Sequence, residues 1–284
     1  MAGTGTAGLE LGLARVVDAA LAEDLGPGDV TTVALIGPRE TCVAQLLLKE
    51  PGVVCGLDAA EAAFRALDPG LELEALSEDG DRLLDAPAVL ARVEGEARAI
   101  LAAERTALNL LGRLSGVATL TRRYADAIEG TDAVLLDTRK TTPGLRSLEK
   151  YAVRCGGGQN HRLGLFDGIL VKDNHLRLAG GIAPAVARLR ETAPALPVEV
   201  ECDTLAQVRE ALAAGADRIL LDNMSPGELR EAVLLTNDRA TLEASGGVTL
   251  ETIRAVAETG VDVISVGALT HSARSLDVSL EVLS

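Results

Sequence analysis

Pro197-Val198-Glu199-Val200 is followed at once by Glu201-Cys202-Asp203, and Arg218-Ile219-Leu220-Leu221 is followed at once by Asp222-Asn223. Each run is short, apolar and rich in branched side chains, which suits a buried strand. Between them, residues 204–214 carry helical spacing. The same unit recurs on both sides. Ala133-Val134-Leu135-Leu136 ends in Asp137-Thr138-Arg139-Lys140, and Gly168-Ile169-Leu170-Val171 ends in Lys172-Asp173-Asn174-His175. Ala240-Thr241-Leu242-Glu243 leads to Ser245-Gly246-Gly247, and the run Val261–Val266 leads to Gly267-Ala268. Helical segments near 144–154, 176–191, 226–236 and 249–259 lie between the remaining runs. Repeated strand–helix units predict a parallel sheet with right-handed crossovers. Six such units fit an open doubly wound sheet or a barrel short of the usual eight strands.

Toward the N-terminus the regular period stops. Residues 9–23 read as an amphipathic helix through Leu13, Val16, Val17, Ala20 and Leu21, and residues 23–29 as a turn-rich loop. Strands are predicted at 42–48, 71–76 and 88–93, with a helix near 57–67. The strongest helical pattern covers 97–115, with Ile100, Leu101, Ala107, Leu108, Leu111 and Leu114 on one side. This half reads as an α+β layer domain.

Composition narrows the function. Hydrophobic residues make up 48% of the 284, enough for a sizeable core, while aromatics are 1% and Trp is absent. The net charge of −15 offers no basic face for nucleic acid, and stacking aromatics are scarce. The four cysteines, Cys42, Cys55, Cys155 and Cys202, form no C-x-x-C pair and read as small buried residues in a reducing compartment. A zinc site is not expected. The stretch Met1–Leu21 lacks the pattern of a signal peptide, and no apolar run approaches the length that spans a bilayer, about 18 residues.

The polar residues that end the strands point to a site. In parallel α/β folds the carboxyl ends of the strands share one face, and ligands bind there. From Ala133 to His175 seven basic residues stand against four acidic ones, a cationic island in an acidic chain. Arg146, Lys150 and Arg154 lie along one predicted helix and read as its solvated face. Arg139, Lys140, Arg162 and Lys172 lie instead at strand ends or in the loop Gly156–Arg162. Arginine forks there suit carboxylate and phosphate oxygens. Gly246-Gly247 and Gly267-Ala268, after the last two strands, suit a phosphate held by backbone N–H groups. Glu201 and Asp222 are hard carboxylates that suit magnesium shared with substrate phosphates, or sugar hydroxyls, or charge balance with Lys172 or Lys140.

Several motifs then resemble one family. They are Asp137-Thr138-Arg139-Lys140-Thr141-Thr142-Pro143-Gly144, Glu149-Lys150-Tyr151-Ala152-Val153 and Gly156-Gly157-Gly158-Gln159-Asn160-His161-Arg162. With them go Lys172-Asp173-Asn174-His175, Leu221-Asp222-Asn223-Met224, Glu243-Ala244-Ser245-Gly246-Gly247, Glu23-Asp24-Leu25, Asp29-Val30-Thr31-Thr32 and Glu104-Arg105-Thr106-Ala107-Leu108-Asn109. Together, from about residue 20 to about residue 280, they resemble quinolinate phosphoribosyltransferases. The resemblance implies an N-terminal α/β sandwich domain over 1–116, to which the tail 273–284 returns. It implies an incomplete, six-stranded parallel α/β barrel over 117–272. It also implies a cytoplasmic homodimer whose N-terminal domain caps the partner's barrel mouth.

The activity so implied joins quinolinate to phosphoribosyl pyrophosphate and releases carbon dioxide and pyrophosphate. Arg139, Arg162 and Lys172, with His161 and Thr138 nearby, would bind the pyridine diacid, and Arg105 would reach it from the partner. Ser245, Gly246, Gly247, Val266, Gly267 and Ala268 would take the 5′-phosphate. Lys140 and magnesium would neutralise pyrophosphate, and Glu201 and Asp222 would hold ribose hydroxyls and the metal. Read on its helix alone, Arg105 is a solvated flank of the apolar stripe. Two other readings stay open on the residues: a transferase for a related heteroaromatic acid such as nicotinate, and a barrel aldolase with Lys172 as a Schiff-base lysine. A non-catalytic sensor of the same metabolites is a third.

Overall fold

The computed structural model describes residues 4–283, with side chains from residue 12 onward. The first elements are α1 (Thr4–Leu25), α2 (Val30–Leu35), β1 (Thr41–Leu48), β2 (Gly52–Val53), α3 (Leu57–Leu67), β3 (Glu72–Ala75), β4 (Arg82–Leu83), β5 (Ala88–Glu96) and α4 (Ala97–Ala127). Then come β6 (Val134–Leu136), α5 (Arg146–Cys155), β7 (Ile169–Val171), α6 (Asp173–Ala179), α7 (Ile182–Thr192), β8 (Val198–Cys202) and α8 (Leu205–Ala214). The last are β9 (Arg218–Asp222), α9 (Pro226–Thr236), β10 (Thr241–Ser245), α10 (Ile253–Ala257), β11 (Val263–Ser265), α11 (Ala268–His271) and β12 (Val278–Val282).

These elements fall into two compact units. One holds the chain up to Arg122, with Thr141–Gly157 and the segment from Leu269 onward. Its sheet has the order β12-β1-β5-β3 and is antiparallel in every pair. Burial alternates over residues 41–46 of β1 and 91–94 of β5, as one covered sheet face requires. Asp29 starts α2 by accepting hydrogen bonds from the Thr31 and Thr32 N–H groups at 3.0 and 2.9 Å. The chain leading into β12 crosses α4 where α4 carries Gly112 and Gly116. A Cβ at these two positions would lie 2.7 Å from the Leu276 carbonyl oxygen and 1.9 Å from that of Arg274. Only glycine lets the two backbones approach so closely.

The second unit holds Arg123–Lys140 and Gly158–Ala268. Its six strands are parallel in the order β6-β11-β10-β9-β8-β7. The edge strands β6 and β7 do not pair with each other. At that seam Gln159 bridges β6, donating its N–H to Leu135 at 2.8 Å and accepting from Asp137 N–H at 3.1 Å. Thr204 and Ser225 cap α8 and α9, each answered by a side chain three residues on, Gln207 and Glu228.

Several sequence expectations need amending. The helix predicted at 97–115 continues to Ala127, because Val117, Ala118, Thr121 and Tyr124 extend its buried side. The segment 176–191 is two helices, broken by Gly180 and Gly181 at φ 88° and 116°. Residues 249–259 hold only the short α10, and α2 was not anticipated. Lys150 is not on a solvated face. It is buried with Leu148, Glu149, Ala152 and Val153 on the covered side of α5. The cysteines are dispersed in sequence but not all in space, since Cys55 and Cys155 meet within the first unit.

Candidate active site

The second unit gathers most of the predicted residues at the carboxyl ends of its strands. Thr138, Arg139 and Lys140 follow β6, and Lys172 follows β7. Glu201 lies in β8, and Asp222 and Ser245 close β9 and β10. Gly246 and Gly247 come next, and Val266, Gly267 and Ala268 follow β11. Arg105 is not part of this unit. It stands on α4 with its side chain 62% exposed, 3.9 Å from Glu104.

The cationic part of the mouth is built on Asp137. This carboxylate is fully buried, accepting from Asn160 Nδ2 at 2.6 Å and from the His161 N–H at 2.9 Å. It thereby fixes the chain between Gln159 and Arg162 to the end of β6. Arg162 donates through Nη1 to the Gly168 carbonyl at 3.0 Å. Burial lowers the Arg162 pKa, and the nearby charge of Arg139 lowers it further. Two like charges that oppose one another in this way would be eased by a nearby anion. The Thr138 hydroxyl accepts from the Lys140 N–H at 3.0 Å, shaping the turn that carries both residues.

The acidic part lies on the neighbouring strand ends. Lys172 Nζ reaches Glu201 Oε2 at 2.8 Å. Burial raises the Asp222 pKa above the ordinary carboxylate value, and the charges of Glu201 and Asp203 add to the rise. Hard oxygens crowded in this way fit a divalent cation, which would relieve their repulsion. Asn223 locks two strand ends together. It is held at φ 54°, donates its side-chain amide to Asp222 at 2.7 Å and its N–H to the Ser245 carbonyl at 2.9 Å. Gly246 follows at φ 90°, where a Cβ would meet Asn223 Oδ1 at 2.3 Å. A side chain at this position would displace Asn223 and so loosen the link between the two strand ends.

Beneath the mouth lies a layer that the sequence reading missed. His161 turns into the barrel, with Nε2 at 3.2 Å from Glu199 and 3.4 Å from Glu243. Both carboxylates are almost wholly buried. Burial pulls the His161 pKa down, but Glu199 and then Glu243 outweigh it and carry it up to about 9. His161 Nδ1 accepts from the Arg162 N–H at 2.7 Å, so that contact and a proton on Nδ1 are alternatives. A cavity of about 290 Å³ adjoins this layer. It runs from His161, Arg162 and Glu199 to Arg218, Thr241 and Val263, the first residues of β9, β10 and β11, so it lies under the mouth. Glutamates inside apolar runs, Val198-Glu199-Val200 and Leu242-Glu243-Ala244, are the signal that would have exposed the layer.

Two family models account for almost the whole chain. The quinolinate phosphoribosyl transferase N-terminal domain matches residues 29–115, and the C-terminal domain of the same family matches residues 117–281. The chain belongs to the quinolinate phosphoribosyltransferase family. Among the relatives of this family member is a probable nicotinate-nucleotide pyrophosphorylase [carboxylating] of Bacillus subtilis. It is 44% identical over 273 residues, covering 96% of this chain and 94% of the relative. A chloroplastic nicotinate-nucleotide pyrophosphorylase [carboxylating] of Arabidopsis thaliana is 45% identical, covering 95% of this chain and 82% of its own. Among solved structures, the nicotinate-nucleotide pyrophosphorylase from Francisella tularensis superposes with a TM-score of 0.91 at 42% identity, covering 96% of each chain. The six-stranded parallel barrel that the resemblance implied corresponds to the six parallel strands of the second unit.

Proposed function

We infer that this protein transfers the phosphoribosyl group of phosphoribosyl pyrophosphate to quinolinate, releasing pyrophosphate and carbon dioxide and forming nicotinate mononucleotide for NAD biosynthesis. The observation that supports the reading is that Arg139, after β6, and Arg162, on the strap that Asp137 ties to the end of β6, lie close enough for the charge of one to bear on the other. Two guanidinium groups suit the two adjacent carboxylates of quinolinate, where a single acid would leave one cation poorly matched. Lys172 and Thr138 complete the acid pocket, and His161 supports it from beneath through its Nδ1 contact with the Arg162 N–H. The backbone from Ser245 to Gly247 and from Val266 to Ala268 takes the 5′-phosphate.

The pyridine nitrogen attacks the ribose carbon as its bond to pyrophosphate breaks. Lys140 faces the departing anion. Glu201 and Asp222 hold the ribose hydroxyls and a magnesium ion, which when bound offsets the charge of the pyrophosphate. With the nitrogen now quaternary, the electron pair left by departure of the adjacent carboxylate is stabilised by the ring, and a proton replaces the carbon dioxide. No protein nucleophile takes part, so catalysis rests on positioning and electrostatics. Pyrophosphate release measured with quinolinate, nicotinate and nicotinamide side by side tests the reading. Quinolinate alone should support it, and equal turnover of nicotinate would defeat it.

The proposed assembly is a cytoplasmic homodimer, with domains at 1–116 and 117–272 and the tail 273–284 joined to the first. Of these spans, residues 1–3 and 284 lie outside the described residues. The exposed Arg105 then serves the partner's acid pocket. In that case Arg105→Ala and Lys172→Ala are each nearly inactive. Random pairing of the two variants restores about a quarter of wild-type activity, because one site of each mixed dimer carries neither change. A mixture that exchanges subunits and stays inactive would place Arg105 outside the site. Among the described residues, no helix is long and apolar enough to cross a membrane.

A further inference from the structure

The first unit contains a pair of thiols that the transfer reaction does not use. Cys55 lies just before α3, and Cys155 is the last residue of α5. Their sulfurs and a carboxylate oxygen of Asp79 lie within 4.8 Å of one another. Cys55 is fully buried, whereas Cys155 is half-buried. This asymmetry gives the two thiols different parts: a dissolved reagent reaches Cys155 first, with Cys55 behind it. Tyr151, one turn earlier on α5, adjoins both Cys155 and Asp79, and the Arg154 guanidinium sits 5.5 Å from its ring centre.

The surroundings favour a reactive thiol over a metal cage. Asp79 already accepts from the Gly56 N–H at 2.9 and 3.0 Å and from the Leu57 N–H at 3.1 Å, so its oxygens are engaged at the start of α3. The hydrogen bond from the Cys55 thiol brings Cys155 below the ordinary thiol value against the effect of burial, and Tyr151 assists. A thiolate that is half-exposed and backed by a second thiol is the arrangement oxidants select.

We propose that Cys155 and Cys55 form a redox-modification site, in which a hydroperoxide oxidises Cys155 and Cys55 closes a disulfide onto it. The Cys155 thiolate attacks the terminal peroxide oxygen, the O–O bond breaks, and the other oxygen leaves as alkoxide, or as hydroxide when the oxidant is hydrogen peroxide. Sulfur gives up two electrons and becomes the sulfenic acid. The Cys55 sulfur then attacks the Cys155 sulfur, the S–O bond breaks, and the oxygen departs as water with the Cys55 proton. A dithiol reverses the step by exchange.

The linkage bears on the acid pocket through the chain itself. Cys155 is followed by three glycines, then by Gln159, His161 and Arg162. The backbone has no slack at the first of these. A Cβ on Gly156 would lie 2.4 Å from the Ala118 carbonyl oxygen and 2.6 Å from Thr121 Cβ. Drawing the two sulfurs to about 2.05 Å shifts the last turn of α5 and the strap that leads to Arg162. Oxidation therefore raises KM for the acid.

Intact-mass and peptide analysis of the purified protein after brief hydrogen peroxide treatment tests this. The expected result is a loss of about 2 Da, mapped to one linked pair holding residues 55 and 155, and a several-fold rise in KM for quinolinate. Dithiothreitol should reverse both. Cys55→Ser, or Cys55→Ala should the first variant fold poorly, should keep its basal activity. Without a resolving thiol it should collect oxygen on Cys155 instead. A wild-type protein that shows no 55–155 link under conditions that oxidise Cys155 in these variants would overturn the site. A linked protein with unchanged kinetics would overturn its coupling to the acid pocket.

Discussion

The mouth of the barrel and the layer beneath it use the same strands in opposite ways. At the mouth, charged side chains follow the apolar residues of β6, β7, β8 and β9, where a ligand can meet them. Arg139 bears on Arg162 there, and Glu201, Asp203 and Lys172 bear on Asp222. One layer down, Glu199 and Glu243 face His161 from inside the sheet, and both are almost fully buried. Charge at the mouth is left at the strand ends, whereas charge in the layer beneath is turned inward onto His161 and, through its Nδ1, onto the Arg162 N–H. The difference teaches that a polar residue at a strand end and one inside a strand make separate claims on energy. The first sacrifices little stability and serves chemistry, while the second must be satisfied internally or it destabilises the fold.

The comparison breaks first at the mouth. Arg139→Ala and Arg162→Ala should each lose about 2–4 kcal/mol of transition-state stabilisation, the scale of removing one positioned donor. Their urea midpoints should stay close to wild type. Near-normal kcat/KM in either variant would mark that arginine as a surface charge and remove the distinction drawn here.

The mouth was legible because a strand end is a local event in the sequence. Apolar runs followed by Asp137–Lys140, Lys172 and Asp222 announce both the strand and the direction in which it ends. The layer beneath was not legible, because it is assembled from His161 in a loop, Glu199 on β8 and Glu243 on β10, and no spacing in the sequence joins them. Asp137 shows the boundary between the two cases. Its place after β6 was read correctly, yet its work in holding Asn160 and the His161 N–H depends on how the chain returns across the seam. The meeting of Cys55 and Cys155 depends in the same way on packing, of α5 against the turn before α3. Lys150 misled for a related reason, since a lysine beside two arginines looks solvated until the burial of the neighbouring turn is known.

A smaller effect is expected one layer down, and it should appear in stability. Glu199→Ala leaves the His161 Nε2 group without its nearer partner in a buried setting, at a cost of about 1–3 kcal/mol in urea unfolding. Glu199→Gln should cost less, because an amide oxygen still accepts. The layer also gives stability a pH dependence. His161 is raised from 6.5 to about 9, so its contribution is fully present below pH 6.5 and is lost as pH rises through about 9. Glu199 is raised as well, by burial first, and acts in the same direction. The urea midpoint should therefore fall between pH 6.5 and pH 9, and fall less in the Glu199→Ala variant. An identical pH profile in both proteins would show that the layer does not carry the proton.

The central claim is that two guanidinium groups at one mouth select a pyridine with two adjacent carboxylates and that one of those carboxylates leaves. The most direct measurement follows quinolinate labelled in the carboxyl next to the ring nitrogen, with phosphoribosyl pyrophosphate, and counts labelled carbon dioxide against pyrophosphate in the same reaction. One carbon dioxide for each pyrophosphate, with both released more slowly by the same factor when Arg139 or Arg162 is replaced by alanine, is the result expected. Pyrophosphate released without labelled carbon dioxide would contradict the account, since the transfer would then proceed without the acid this mouth is built to hold.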